Sequence, residues 1–129
     1  MKLEAIRAEM KRRLETIVPT VYERPSNSPM FPCAILGYPN VITYHVDYGY
    51  LISRLELDLT LWVPRSNAEA GMVDLDSYLS TTGDKSISRV LETKPIPEGV
   101  WLRVAVLTAV NLRTEGDAIG VDFNLEVDA

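Results

Sequence analysis

The chain is poor in the residues that carry most enzyme chemistry. It has one cysteine, Cys33, and one histidine, His45, in 129 residues. A lone cysteine makes no intrachain disulfide and no multi-thiolate zinc site. A lone histidine excludes chemistry that needs two imidazoles. Positive charge is also in deficit: 13 Lys and Arg stand against 18 Asp and Glu, a formal net charge of -5. Ordinary nucleic-acid binding, which neutralises phosphates with Lys and Arg, is therefore not expected. No apolar run approaches the roughly 18–20 residues of a membrane span. Met1-Lys2-Leu3-Glu4 leads into a charged amphipathic segment rather than an apolar signal core. The expectation is a protein made in the cytoplasm.

What is present is ordinary globular material, 47% hydrophobic and 24% charged. The length suits one domain that buries roughly two-thirds of its unfolded surface. Leu3, Ile6, Met10, Leu14 and Ile17 recur at steps of three and four, which predicts an N-terminal helix. Glu4, Arg7, Lys11, Arg12 and Glu15 fill its other face, and Pro19 stops it. Val21 and Tyr22 begin an extended piece. Arg24 to Pro32 reads as a loop from its three prolines, two serines and an asparagine. That loop ends on apolar Met30 and Phe31, which either tuck into the core or dock a partner.

Cys33 to Leu36 is a short strand closed by Gly37 and Pro39. Val41 to Tyr48 is a second, with Ile42, Tyr44, Val46 and Tyr48 on one face. After Gly49, residues Leu51 to Val63 form the clearest strand, with Leu55, Leu57, Leu59, Leu61 and Val63 alternating with Arg54, Glu56, Asp58, Thr60 and Trp62. Pro64 ends it. Ser66 and Glu69 have the spacing of a capping box. Ala68, Met72, Leu75 and Leu79 then line a second helix, and Ile87, Val90 and Leu91 suit a short third one.

Trp101 to Leu112 is again a strand, apolar on both faces, which predicts a central strand covered on both sides. Thr114-Glu115-Gly116-Asp117 signals a hairpin turn. Ile119, Val121, Phe123, Leu125 and Val127 alternate along the last strand. The fold class is α+β: a mostly antiparallel sheet, with an N-terminal helix and a helix pair packed on one face, in a single domain. The doubly apolar strand leaves two ways to cover the other face: a second copy of the chain, or a sheet curled on itself.

The constellations that resemble chemical sites fail on spacing. Gly83-Asp84-Lys85-Ser86 lacks the upstream glycine of a phosphate loop, where Tyr78 stands, and Asp84 separates glycine from lysine. Cys33 opens an apolar strand and reads as core, while His45 shares its face with Thr43 and Asp47 and reads as surface, so a thiol–imidazole pair is not supported. Asp74, Asp76 and Asp84 lack the tight loop spacing of a calcium site. Three of the six tyrosines, Tyr44, Tyr48 and Tyr50, crowd one short stretch, and Trp62 lies on the polar parity of its strand. Such residues suit interface hot spots or the closed ends of a core. The interface reading is favoured for Tyr48, Tyr50 and Trp62.

The order of these pieces is similar to that of a known family. The features are the helix ending in Ile17-Val18-Pro19 with Val21-Tyr22-Glu23, and the proline-rich loop into Pro32-Cys33-Ala34-Ile35-Leu36-Gly37. Pro39-Asn40-Val41-Ile42-Thr43-Tyr44 and the strand ending Leu61-Trp62-Val63 follow. Leu75-Asp76-Ser77-Tyr78-Leu79, Ser86-Ile87 and the closing Val121-Asp122-Phe123-Asn124-Leu125-Glu126-Val127 complete it. Over nearly its whole length the chain resembles tail terminator (head–tail joining) proteins of long-tailed bacteriophages, those of actinobacterial hosts in particular. The resemblance implies a non-enzymatic protein of the virion neck, without cofactor or metal, made in the host cytoplasm. It implies a ring of six copies on the last ring of the tail tube protein. That ring would end tube growth, receive the head connector or stopper proteins, and pass DNA through its lumen without holding it. No membrane is involved. The candidate contact residues are Met30, Phe31, Tyr48, Tyr50 and Trp62. Within the neck, a head-completion or stopper-like subunit is the alternative. In a different class, a small ligand-binding domain or enzyme would use the Tyr44–Tyr50 region as a pocket.

Overall fold

A computed structural model describes residues 2–24, 30–47, 52–65, 75–92 and 102–129, with only the backbone of 45–47. The first element, α1 (Leu3–Leu14), turns Ile6, Met10 and Leu14 onto the sheet, all essentially fully buried. Its last turn tightens, with Ile17 N–H donating to Leu14 O, and Val18 closes the stripe before Pro19.

Among the described residues six strands form one sheet: β1 (Thr20–Tyr22), β2 (Cys33–Leu36), β3 (Val41–Asp47), β4 (Ile52–Pro64), β5 (Arg103–Glu115) and β6 (Ala118–Asp128). The order is β1-β2-β4-β6-β5, with only the β1–β2 pair parallel. β4 pairs with β6 from Arg54 to Pro64, so β2 and β3 must share its other edge, β2 against 59–62 and β3 against 52–56. The chain changes from one to the other at Gly37. Its N–H donates to Asp58 O, and a Cβ there would sit 2.9 Å from that same oxygen. Only glycine permits so close an approach.

The core lies between one sheet face and the helices. Leu55, Leu57, Leu59, Leu61 and Val63 of β4 meet Ile119, Val121, Phe123, Leu125 and Val127 of β6 on that face, all buried. Above them lie α1, a helix whose described part is 75–79 (α2), and α3 (Ile87–Glu92). Leu75 and Tyr78 bury themselves, whereas Leu79, expected on that face, is 36% exposed. Ser86 caps α3 by accepting from Arg89 N–H, as a serine N-cap does. Gly83-Asp84-Lys85 is the turn between these helices. In the β5–β6 hairpin, Gly116 takes a φ of 55° at the first central position, where a primed turn places glycine.

Two expectations need correction. First, β5 is an edge strand, not a central one, and only its first part is covered. Two irregularities, between Val106 and Thr108 and between Val110 and Arg113, break its parity, and Asn111 takes a φ of 58° there. Second, the polar side of α1 is not all solvated. Arg7, Glu9 and Arg13 are buried. Arg7 donates to Gly37 O and Glu23 O, and Arg13 donates to Glu9 and to Leu91 O. Carbonyls left over at strand and helix ends need donors, and long guanidinium stems deliver them. On β3, Ile42 is half-buried and Tyr44 is 64% exposed, and the strand shifts register between Thr43 and Asp47. The Ser66–Glu69 capping box, Ala68, Met72, Asp74 and Trp101 lie outside the described residues.

Candidate assembly surfaces

The sheet face away from the helices is polar at its centre. Directly paired residues share a face, so the β4 and β6 registers place Arg54, Glu56, Asp58, Thr60, Asp122, Asn124, Glu126 and Asp128 together. Carboxylates dominate this face. Arg54 bonds Asp128 at 2.8 Å and lies 3.2 Å from Glu126. Asp122 accepts from Thr60, Asn111 and Arg113. Burial pushes its carboxyl up, but these three donors together outweigh that and hold it below the usual carboxylate range. The second face is thus not an apolar surface awaiting a cover, as the sequence pattern implied. It is an acid-rich, cross-linked ladder.

Trp62 lies on this face among its own chain's residues. Gly120 is its direct partner across the ladder, and a Cβ on Gly120 would lie 2.5 Å from the indole. The Arg113 guanidinium covers the ring at 4.8 Å, and Phe31 meets it with ring centroids 6.4 Å apart. Trp62 is consequently half-buried rather than free.

The apolar surface sits instead at the two sides of the sheet. On one side Met30 (71%), Phe31 (39%), Tyr38 (57%), Val41 (46%) and Tyr44 (64%) are exposed. Met30 and Phe31 therefore do not tuck into the core. On the opposite side, β5 exposes Leu107 (55%), Val110 (38%) and Leu112 (59%). Helix α3 shields the start of that edge, where Glu92 accepts the Val106 N–H at 2.7 Å. No described residue shields the edge in this way beyond Val106. Tyr48 and Tyr50 lie outside the described residues, as does the His45 side chain.

One cleft of roughly 550 Å³ opens beside β2, lined by Glu23, Arg24, Ile35, Tyr38, Asn40 and Asp58 among others. Arg7 supports its rim, with its guanidinium 4.0 Å from the Tyr38 ring centroid. Sequence reasoning missed this cleft, placing its candidate pocket at Tyr44–Tyr50. Its signal was faint: an arginine on a helix flank and a Gly-Tyr-Pro-Asn corner. Cys33 is fully buried, and burial pushes its thiol up, away from the reactive thiolate. Among the described residues no group of three His, Cys, Asp or Glu side chains could hold a metal ion, and no helix is long and apolar enough to cross a membrane.

The geometry defines a class: an α+β domain with a helix-covered face, an acid-rich open face and apolar sides. No protein-family model matches the chain, and no curated protein matches it.

Proposed function

We propose that this chain is a bacteriophage tail terminator, a ring-forming neck protein that ends tail-tube growth and receives the head. The observation that carries this reading is the placement of exposed apolar side chains at two different, opposite sides of one sheet. A patch that meets a different patch on an identical copy makes a heterologous contact, and such contacts form a ring where the rotation between copies closes. The order of sequence features that resembles the terminator family supports the same reading. Six copies is the number the resemblance implies.

Edge-to-edge association leaves the two sheet faces distinct. The helix-free face then lines the channel, and its carboxylates repel a passing polyanion instead of binding it. The tail tube protein, the head connector or stopper proteins and transiting DNA are the proposed partners, and the virion neck is the proposed location.

Electron microscopy of particles assembled without this chain tests the proposal. Overlong, headless tails are the expected result. Normal tails beside unjoined, DNA-leaking heads would assign the chain to head completion instead. Normal joined virions would remove it from the neck altogether.

A further inference from the structure

We infer that the open edge of β5 takes β3 of a second copy of this chain as an added antiparallel strand. The inference deepens the ring reading above and rests on it. Soluble proteins protect long edge strands with charge, proline, bulges or a covering element. β5 is 13 residues long, and among the described residues its cover ends where Glu92 meets Val106. Beyond that point the exposed side chains include Leu107, Val110 and Leu112, the stretch contains neither lysine nor proline, and its protection is confined to Arg113, Glu115 and the two irregularities between Val106 and Thr108 and between Val110 and Arg113. Among the described residues this stretch has an open edge and exposed apolar side chains, the two things an added strand would use.

The occupant follows from the other side of the same sheet. β3 bonds only to β4, so its second edge is open among the described residues, and it exposes Val41 and Tyr44. β1 is also open but has only three residues, and its Val21 is buried. Strand sense agrees. β3 opposes β4, β4 opposes β6 and β6 opposes β5, so β5 runs opposite to β3. Repeating the sheet head to tail therefore brings β5 to β3 antiparallel with no inversion of the copy. The uncovered half of β5 lies level with 58–64 of β4, whereas β3 lies level with 52–56. The junction is thus staggered, which closing a sheet into a barrel requires.

Two single variants, Leu112→Cys and Tyr44→Cys, test the pairing with a short bis-maleimide. The buried Cys33 leaves the new thiol as the reactive one. Cross-linking is done on tail tubes and at concentrations where the unmodified chain is oligomeric. The mixture is expected to yield covalent dimers at least tenfold more efficiently than either variant alone, and the double variant a ladder of higher oligomers. Equal cross-linking of Leu112→Cys with itself would mean a twofold β5–β5 contact and overturn the inference. So would the absence of any mixed product, or a chain that stays monomeric under all these conditions. The outcome is separable from the neck reading. A mixed cross-link with normal tails in particles lacking the chain keeps the strand pairing and removes the terminator. Overlong tails without a mixed cross-link do the reverse.

Discussion

β5 and β6 are the two arms of one hairpin, and their fates differ. From Ile119 to Val127, every second residue of β6 is buried. On β5, burial is confined to the start, and Leu107, Val110 and Leu112 stand exposed. Composition does not separate the two arms, since both are rich in Val and Leu. Neighbours do. β6 has β4 on one side, β5 on the other and the helices above. Among the described residues β5 has a strand partner on one side only, and Glu92 of α3 meets its other edge at Val106. A strand apolar on both faces can be central, or it can be an edge that completes itself on another molecule.

The sharpest way to break this comparison is to damage the arm that is finished. Leu59→Ala, in the fully buried row β4 shares with β6, should cost about 3 kcal/mol by leaving a cavity. Urea denaturation of the monomer measures it. A loss under 1 kcal/mol would mean that this sheet centre is not the core.

The next effect is electrostatic. Glu9 is buried beside Arg13, and its carboxyl is held below the usual range first by the hydrogen bond from Arg12, against burial, with Arg13 assisting. Its folded pKa lies below its unfolded one. Its stabilisation is therefore present above the unfolded pKa and lost as pH falls through the folded one. Glu9→Gln should cost about 2 kcal/mol at neutral pH, because Arg13 keeps a buried charge without its counter-ion. The gap between variant and parent should narrow on acidification below the ordinary carboxylate range. A gap independent of pH would assign the effect to packing.

Gly120→Ala probes the polar face between the two arms. Its methyl group must displace the Trp62 ring, at a cost of about 1–2 kcal/mol and with a shift in indole fluorescence. An unchanged emission spectrum would contradict the stacking of Trp62 on the ladder.

The smallest stability effect belongs to the unfinished arm. Leu112→Lys should change monomer stability by less than about 0.5 kcal/mol, since the side chain is already 59% exposed. Its effect on association should nevertheless be large, a loss of at least tenfold in oligomer affinity by sedimentation. A variant that unfolds, or one that associates normally, would erase the distinction between the arms.

Much of the fold was legible because period-two burial is local. Leu55 to Val63 and Ile119 to Val127 declare their faces without help, and Gly116 marks its own turn. Arg7 and Arg13 were not legible, because their acceptors, Gly37 O and Leu91 O, lie 30 and 78 residues away in the chain. The rank of β5 was misread for a related reason. Apolar content signals that burial is needed and does not say whether the same chain supplies it. At the assembly surfaces, exposed Met30 and Phe31 do not tuck into the core. Trp62 proved to be half-occupied by Gly120, Arg113 and Phe31, contacts that depend on strand register and hairpin geometry.

The most direct test of the whole account is the length of tail tubes assembled with added purified chain. The account predicts that growth stops, that a ring sits on the tube end in electron micrographs, and that Leu112→Lys fails to stop it. Tubes that grow to the same lengths with and without the chain would contradict it.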